Sequence, residues 1–318
     1  MRELPAGGGW QYEPKWDGFR GLVENLDGEL RIWSRNARPL LRYFPELRPL
    51  GELLPPRSAL DGEIVIERDG RLDFDAMQMR LHPAESRIRK LSAEIPAMYV
   101  AFDVLLWASE EIWRLPLEDR RRKLETLPLV RSPKTDDLEL ASSWLERLEV
   151  AGFDGVIAKR LGVPYQPGSR DAVKKVKAHK SAECVVLGVR LAEKTERLAT
   201  LLLGLYDETG ELRYVGSAAV APAKEQEIRA LVEPLLAGAP DRRFSEPNRW
   251  GGGELAELPL RPELVVEVRY DKWQGMRFRH GTRLLRFRPD KEQSQCTVDQ
   301  VDLHPGPGDP TVTGLLAT

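Results

Sequence analysis

The sequence predicts an α+β protein of two domains followed by a short tail. A chain of 318 residues is long enough for two hydrophobic cores. Up to about residue 180, strand-like apolar runs are mixed with helical patterns, whereas the later apolar runs are mostly strand-like. We therefore expect a mixed domain over residues 1–180, a β-barrel over residues 181–304 and a flexible tail over residues 305–318.

The strands of the first domain are predicted from short runs of β-branched or aromatic residues that end at turn residues. Such runs occupy residues 63–66, 98–106 and 155–158. Two longer stretches, residues 117–127 and 141–150, have the apolar spacing of helices. The second places Trp144 and Leu148 on one face and is followed by Gly152, which suits a helix C-terminus.

In the second domain, five strand candidates follow one another, with an amphipathic helix between the third and the fourth. The strand candidates are residues 183–190, 200–206, 212–220, 263–270 and 283–288. The helix is expected at residues 223–236, and residues 207–210 form a hairpin turn. This order of elements matches an OB-fold barrel. Residues 239–254, rich in Pro and Gly, are expected to form a surface loop.

Composition argues against two classes of protein. No run approaches the ~20 apolar residues of a membrane helix, and residues 1–9 lack the apolar region of a signal peptide. Cys184 and Cys296 are too few for a disulfide framework, and no Cys/His spacing suggests zinc. We therefore expect a cytoplasmic protein with reduced thiols and no membrane partner.

The net charge of −2 hides a strongly basic segment. Residues 269–291 hold eight Lys or Arg residues against Asp271 and Asp290, a local excess of six positive charges. The basic residues are Arg269, Lys272, Arg277, Arg279, Arg283, Arg286, Arg288 and Lys291. A smaller basic cluster is formed by Lys174, Lys175, Lys177 and Lys180. Concentrated positive charge on an otherwise balanced protein indicates a phosphate-bearing partner, and the aromatic residues Trp273, Phe278 and Phe287 inside the segment favour this interpretation over a solvated surface.

A candidate catalytic motif lies near the N-terminus. Residues 13–20 read Glu-Pro-Lys-Trp-Asp-Gly-Phe-Arg, with Lys15 two residues before Asp17-Gly18 and five before Arg20. The spacing resembles the KxDGxR element of covalent nucleotidyltransferases, whose lysine amine attacks the α-phosphate of a nucleotide. An ordinary lysine amine, with a pKa of ~10.4, needs neighbouring cations or desolvation to become a nucleophile at neutral pH. Judged alone, these residues fit a solvated turn as well as they fit a catalytic motif.

Further motifs follow in the order found in ATP-dependent DNA ligases. They occupy residues 33–36, 60–66, 99–105, 153–160, 174–177 and 286–291. The flanking segments 42–47 and 162–168 also resemble the bacterial stand-alone type called ligase C. The resemblance spans almost the whole chain. It implies a nucleotidyltransferase (adenylation) domain with antiparallel sheets and flanking helices, followed by an OB-fold barrel.

The resemblance assigns roles around the nucleotide, with Lys15 as the residue that accepts AMP. The other nucleotide-binding residues that it implies are Glu13 at the adenine edge, Phe102 as the stacking aromatic, and Lys159, Lys175 and Lys177 along the phosphate path. Glu63 is expected near the ribose or a metal ion, and Asp154 as a metal ligand. Most ligases carry Glu at the position of Asp154, so the shorter side chain puts direct coordination in doubt.

Two pairs of arginines are expected to contact phosphate. Arg20 and Arg35 suit phosphate or sugar oxygens, because a guanidinium group binds oxyanions with a planar fork, and Arg35 is also expected to contact DNA. Arg277 and Arg279, in the basic segment, are expected to contact DNA.

Arg288 and Lys291 resemble the residues of the last ligase motif, which grip the leaving pyrophosphate. They are distant in sequence from the nucleotide-binding motifs. The resemblance therefore implies that the second domain closes over the nucleotide, with a hinge around residues 178–182.

ATP is the expected cofactor, together with Mg²⁺ or Mn²⁺. NAD-dependent ligases need a module ahead of the lysine, and 14 residues precede Lys15 here. The resemblance implies a monomer that acts on nicked duplex DNA, in repair and beside a polymerase. The alternatives are an RNA ligase or mRNA-capping guanylyltransferase, and a non-catalytic nucleic-acid-binding module. Transfer of label from α-labelled ATP, from α-labelled GTP or from neither distinguishes them.

Overall fold

The computed structural model describes residues 3–177, 180–192, 196–238, 257–279 and 281–317. The chain divides into two compact units, one formed by Met1–Ala178 with His304–Thr318 and the other by His179–Leu303. The first two residues of the expected hinge, 178 and 179, lie outside the described residues. The expected surface loop over residues 239–254 also lies outside them.

The first unit is built on antiparallel sheets with helices beside them. Its strands are β1 (Trp10–Pro14), β2 (Phe19–Leu26), β3 (Glu29–Ser34), β4 (Ser58–Val65), β5 (Glu67–Arg68), β6 (Arg71–Leu72), β7 (Met98–Leu106), β8 (Val156–Arg160) and β9 (Val173–Val176). Its helices up to residue 147 are α1 (Leu50–Leu53), α2 (Phe74–Met79), α3 (Glu85–Glu94), α4 (Leu117–Glu125) and α5 (Leu138–Arg147).

Two sheets position the predicted motifs. One has the strand order β3-β2-β4-β7, and the other has the order β1-β8-β9. Strands β5 and β6 form a separate short hairpin. The predicted helix at residues 141–150 begins earlier, at Leu138, because the Asp137 carboxylate caps it by accepting a hydrogen bond of 2.8 Å from the Glu139 N–H.

The second unit is rich in strands. Its elements are β10 (Lys180–Leu191), β11 (Leu198–Tyr206), β12 (Leu212–Ala219), α6 (Glu225–Val232), β13 (Glu257–Pro259), β14 (Val265–Tyr270), β15 (Lys272–Gln274), β16 (Arg277–Arg279) and β17 (Thr282–Phe287). The helix is shorter than the predicted residues 223–236, and a 3-10 turn containing Pro234 follows it. Proline lacks the N–H that a continuing α-helix requires.

Five strands of the second unit close into a barrel. The hydrogen-bonded order is β10-β11-β12-β17-β14, and β14 returns to β10. Strands β12 and β17 run parallel, while the other neighbours are antiparallel. The interior is filled by residues such as Val186, Leu203 and Val266, which are fully buried. With α6 between the third and fourth barrel strands, this is the predicted OB-fold, and the prediction is confirmed.

The hairpin of β15 and β16 was not expected from the sequence. Its turn contains Gly275 and Met276, with φ of 56° and 60°. Phe278 is only 6% exposed and packs edge-on against Trp273, with 5.4 Å between ring centroids. Phe287 also packs against the barrel core. These aromatic residues therefore help to hold the barrel together, and their presence in the basic segment is weaker support for nucleic-acid binding than the sequence suggested.

The prediction of a flexible tail after residue 304 is wrong for the described residues. Residues Val312–Leu316 form a short helix, α7, which belongs to the first unit. Val312 is fully buried, and its N–H donates to the Gly70 carbonyl over 2.8 Å. It packs in the same apolar cluster as Trp144 and Leu148. Buried apolar area and a paired backbone therefore order this part of the chain, although terminal residues are often flexible.

No helix in the described part of the chain combines the length and apolar character needed to cross a membrane.

Candidate functional site

The backbone brings three motifs together at one end of the strands β1, β8 and β9, which we call the edge of this sheet. Strand β1 pairs with β8, which places Lys15, just after β1, beside Asp154 and Gly155, just before β8. The Lys15 N–H donates to the Gly155 carbonyl over 2.8 Å, and the Asp154 N–H donates to the Lys15 carbonyl over 3.0 Å. On the other side, β9 pairs with β8 through Val176 and leads directly to Lys177.

Lys15, Asp154 and Lys177 form a compact charged group at this edge. The Lys15 ammonium donates to Asp154 Oδ2, and the Lys177 Nζ lies 3.0 Å from the same oxygen. The side chains of Lys15 and Asp154 are 19% and 13% exposed. Two ammonium groups share one carboxylate, so the group is net positive and partly desolvated. Such a group suits an anionic ligand.

Lys175 belongs to the same basic region, whereas Lys174 does not. Burial, followed by the neighbouring cations Lys15 and Arg20, lowers the pKa of Lys175 from its ordinary value, and Arg35 contributes in the same direction. Successive residues of a strand point to opposite faces. Accordingly, the Lys174 ammonium lies 4.8 Å from the centroid of the Trp10 ring. The predicted Lys174–Lys177 cluster is therefore divided between two faces of the sheet.

Glu13, Lys159 and Phe102 form a second group in the first unit. The Lys159 ammonium lies 2.8 Å from Glu13 Oε1 and donates to the Phe102 carbonyl over 3.1 Å. It also lies 4.7 Å from the centroid of the Phe102 ring. Gln11 donates to Glu13 over 2.7 Å. The Lys159 charge is thus balanced by buried Glu13, and its ammonium is held beside Phe102, while its expected place along the phosphate path stays a prediction.

Arg20 is held by Asp61 and Tyr165, to which the sequence analysis assigned no role. Arg20 Nε and Nη2 donate to Asp61 Oδ1 and Oδ2 over 2.9 and 2.6 Å, and Tyr165 lies within hydrogen-bond distance of both side chains. This bidentate contact raises the pKa of Arg20 further. Asp61 lies two residues before Glu63 on β4, a spacing that puts both carboxylates on one face, and this signal was available in the sequence.

Glu63 is half-buried on β4, opposite Arg20 on β2. Burial raises the pKa of its carboxyl to about 7, although the positive charges of Lys15 and Arg20 oppose the shift. Its protonation therefore changes near neutral pH, where the ordinary value of 4.5 would leave it fully charged.

Replacing Glu63 by Gln is expected to stabilise the first unit at pH 8 but not at pH 4.5. The folded protein binds the proton more tightly than the unfolded chain, so the wild type loses stability as the pH rises from 4.5 to about 7. Glutamine mimics the protonated form and avoids this loss, which is at most ~3.5 kcal/mol at ~1.4 kcal/mol per pKa unit. Calorimetric melting temperatures at both pH values check the prediction, and a benefit that is independent of pH would contradict it.

Arg35 lies on an exposed turn after β3. The Ser34 hydroxyl shapes the turn by accepting hydrogen bonds from the N–H groups of Asn36 and Arg38 over 3.3 and 3.0 Å. The turn also requires a φ of 54° at Ala37. The motif serine thus shapes the backbone that presents Arg35 to solvent, and the Arg35 charge helps to lower the pKa of Lys175.

In the second unit, Arg288 is engaged by acidic partners. It binds Asp290 through two hydrogen bonds of 2.9 and 2.8 Å and Glu183 through one of 2.6 Å. Its side chain is 12% exposed. Lys291 is half-buried, and its backbone N–H closes a turn by donating to the Arg288 carbonyl over 3.2 Å. Arg288 therefore stabilises this end of the barrel, and Lys291 is the better candidate for a phosphate contact.

Arg277 and Arg279 flank buried Phe278 on β16, and Arg277 is exposed. The Arg277 guanidinium lies 5.6 Å from the centroid of the Tyr214 ring. Arg277 lines a cavity of about 950 Å³ in the second unit, together with Arg213, Arg261 and Glu211. Arg213 is paired with Asp207 and Glu211, and Arg261 with Glu263.

The described residues contain no group of three or more His, Cys, Asp or Glu side chains arranged to hold a metal ion. Glu63 and Asp154 stay the candidate ligands expected from the sequence.

Comparison with known proteins gives a consistent assignment. Residues 3–177 match the family described as "ATP dependent DNA ligase domain", and residues 194–291 match "ATP dependent DNA ligase C terminal region". DNA ligase C1 of Mycolicibacterium smegmatis is 43% identical over 312 residues, which cover 93% of this chain and 89% of that protein.

Two further similarities are more distant. The multifunctional non-homologous end joining DNA repair protein LigD of Mycobacterium tuberculosis is 30% identical over 296 residues, covering 90% of this chain and 37% of that protein. A solved structure from a study of DNA binding by Lig E DNA ligases is 16% identical, with a TM-score of 0.53 over 88% of this chain and 92% of that chain. This last likeness supports the fold alone. The family match and the identity to the ligase C relative show that the chain belongs to the ATP-dependent DNA ligase family.

Proposed function

We propose that this ATP-dependent DNA ligase seals nicks between a 5′-phosphate and a 3′-hydroxyl in duplex DNA, and that Lys15 carries AMP between ATP and the DNA. The observation that carries the proposal is the group of Lys15, Asp154 and Lys177 at one sheet edge. It combines an amine nucleophile, an acceptor that orients it and a cation for phosphate. These are the parts required for covalent transfer of a phosphoryl group.

In the first step, the Lys15 amine attacks the α-phosphorus of ATP, a phosphoramidate bond forms, and pyrophosphate leaves. Lys15 must give up a proton before or during attack, and the Asp154 carboxylate already accepts a hydrogen bond from it. Lys175 and Lys177 are placed to offset the negative charge that develops on the phosphate oxygens. Phe102, backed by Lys159, offers a ring for the adenine base to stack on.

In the later steps, the AMP passes from Lys15 to the 5′-phosphate of the nick, and the 3′-hydroxyl then displaces AMP as the phosphodiester bond forms. Arg20 and Arg35 are proposed to contact phosphate or sugar oxygens, since both present partly exposed guanidinium groups. Lys291 is proposed to act on the departing pyrophosphate in the first step.

A divalent cation fits this arrangement. Mg²⁺ is usually held by one or two carboxylates together with substrate phosphate oxygens, and Glu63 and Asp154 supply that number. When bound, the cation supplies positive charge to the phosphate oxygens of ATP. The Asp154 contact with two ammonium groups makes Glu63 the stronger candidate ligand.

We also propose that the enzyme acts in DNA repair, as a monomer that works after a polymerase has filled a gap. The repair role is supported by similarity to a relative named for non-homologous end joining DNA repair. Nucleotide choice is tested by incubating the protein with α-labelled ATP or GTP. Covalent AMP followed by sealing of a nicked duplex is the expected result, whereas covalent GMP would identify a capping enzyme and overturn the proposal.

Replacing Arg277 and Arg279 together by Ala is expected to weaken binding to nicked DNA and leave AMP transfer to Lys15 nearly intact. Each phosphate that a protein neutralises contributes about −0.9 to the slope of log K against log salt. The double variant should therefore flatten this slope by up to about two units. Fluorescence anisotropy at several salt concentrations measures it.

The matched control replaces Arg87 and Arg89, two exposed arginines with the same spacing on α3. This control should bind nicked DNA with the wild-type slope. An unchanged slope in the Arg277/Arg279 variant would show that β16 lies outside the DNA path.

A further inference from the structure

Tyr165 closes a ring of hydrogen bonds with Arg20 and Asp61 in the first unit. Its hydroxyl donates to Asp61 Oδ2 over 2.7 Å and lies 2.5 Å from Arg20 Nη2, which donates to it. Arg20 in turn holds both oxygens of Asp61. The Asp61 side chain is only 3% exposed. Its charge is therefore satisfied by Arg20 and Tyr165.

The position of Tyr165 is fixed by its surroundings rather than by Arg20. It lies on the connection between β8 and β9, where its N–H donates to the Trp113 carbonyl over 2.8 Å. A hydrogen bond to α4 also holds this connection in place, since the Gly162 N–H donates to the two oxygens of the Glu118 carboxylate over 3.0 and 2.9 Å. The Arg120 guanidinium lies 5.9 Å from the centroid of the Tyr165 ring.

Arg120 is itself immobilised. It forms a buried bidentate ion pair with Asp103 on β7, at 2.7 and 3.0 Å, and donates to the Leu115 and Val163 carbonyls over 2.6 and 3.3 Å. The tyrosine ring thus rests on a rigid support that joins α4, β7 and the β8–β9 connection. A hydroxyl held on such a support can orient a more exposed side chain to which it is hydrogen-bonded.

Arg20 is the more exposed partner in this arrangement. Its side chain is 43% exposed, so part of the guanidinium faces solvent where a ligand can approach. The two hydrogen bonds to Asp61 set the plane of the Arg20 guanidinium. The third hydrogen bond, to Tyr165, limits movement of Arg20 together with Asp61. Small errors in the placement of a charged group lower reaction rates strongly.

We propose that Tyr165 is a positioning residue for AMP transfer, whose hydroxyl fixes Arg20 through direct contact and through their shared partner Asp61. The proposal rests on the proposed function, in which Arg20 contacts the nucleotide. Tyr165 itself touches neither the nucleotide nor the reacting atoms in this role.

The test compares Tyr165→Phe with Tyr12→Phe. Tyr165→Phe removes one hydroxyl and keeps the aromatic ring against the Arg120 guanidinium. Tyr12→Phe, the control, removes a hydroxyl that donates to the Pro5 carbonyl over 2.6 Å. We expect Tyr165→Phe to lower the rate constant for AMP transfer at saturating ATP about tenfold, as for one hydrogen bond to a charged group. The ATP KM should change less than about twofold, because Arg20 keeps its charge. Tyr12→Phe should lower the melting temperature but not this rate constant.

A double-mutant cycle decides whether Tyr165 acts through Arg20. In an Arg20→Ala background, Tyr165→Phe should have no further effect on AMP transfer. The same tenfold loss in that background, or an equal loss from Tyr12→Phe, would overturn the proposal.

A readout that does not need activity separates this proposal from the proposed function. The ¹⁵N resonances of the Arg20 guanidinium should broaden or shift towards those of a freely rotating group in Tyr165→Phe. Unchanged resonances would overturn the positioning role even in an active enzyme. A wild-type protein that never labels Lys15 would instead overturn the proposed function, and the resonances would then decide the role of Tyr165 alone.

Discussion

Lys15→Ala is expected to abolish both AMP transfer from ATP and the sealing of nicks. The wild-type protein, incubated with ATP and Mg²⁺, should gain one AMP at Lys15, detected by intact-mass and peptide mass spectrometry. The variant lacks the attacking amine, and the Lys177 ammonium, which also lies beside Asp154 Oδ2, does not replace it. Removing a covalent nucleophile from an enzyme can cost on the order of 10⁶ in rate, so the labelled band should fall below detection.

Lys174→Ala is the matched control for this experiment. Lys174 lies on the same three-stranded sheet, but its ammonium contacts the Trp10 ring on the other face. It should therefore label and seal like the wild type. AMP found on Lys175 or Lys177 in the wild-type protein would show that the nucleophile was assigned wrongly.

The sequence predicted those elements of the fold whose pattern is local. Strand β7 has the predicted bounds, because nine residues from Met98 to Leu106 are nearly all apolar and are bounded by turn residues. The barrel order was also predictable, since the position of α6 between the third and fourth strands identifies an OB-fold. The hairpin of β15 and β16 was missed because three-residue strands with charged residues carry no clear periodicity.

The candidate site was predictable where a functional side chain directly adjoins a strand end. Lys15 and Asp154 meet because β1 and β8 pair, and contiguous motifs mark both positions. Side-chain contacts between distant segments were not predictable. The contact of Arg20 with Tyr165 joins residues separated by 145 positions, and that of Arg288 with Glu183 joins residues separated by 105. Such contacts depend on the packing of loops and side chains, which short motifs do not encode.

Gly155 shows why a residue without a side chain is required in the site. Its φ of +120° is one that L-amino acids rarely adopt, and a Cβ added there would lie 2.1 Å from the Val176 carbonyl oxygen and 2.9 Å from the Lys177 Cα. Both contacts are to backbone, which cannot rotate away as a flexible side chain can. The β8 and β9 backbones can therefore approach closely only if residue 155 is glycine.

Gly155→Ala is accordingly expected to push β9 away from β8 and to displace Lys177 from Asp154. We expect a loss of stability of at least about 3 kcal/mol, because the clash adds to the ~1–2 kcal/mol cost of a left-handed backbone. The rate of AMP transfer should fall at least about 100-fold, because misplacement of a reacting group by about 1 Å is that costly. Gly28→Ala is the control, since Gly28 has a φ of +100° but no atom within 4 Å of the added Cβ. Gly28→Ala should lose only the stability that the left-handed backbone costs, and AMP transfer to Lys15 should be normal. Urea unfolding and rates of AMP transfer, measured for both variants, test this difference, and equal losses would mean that the approach of β9 to Gly155 does not matter for the chemistry.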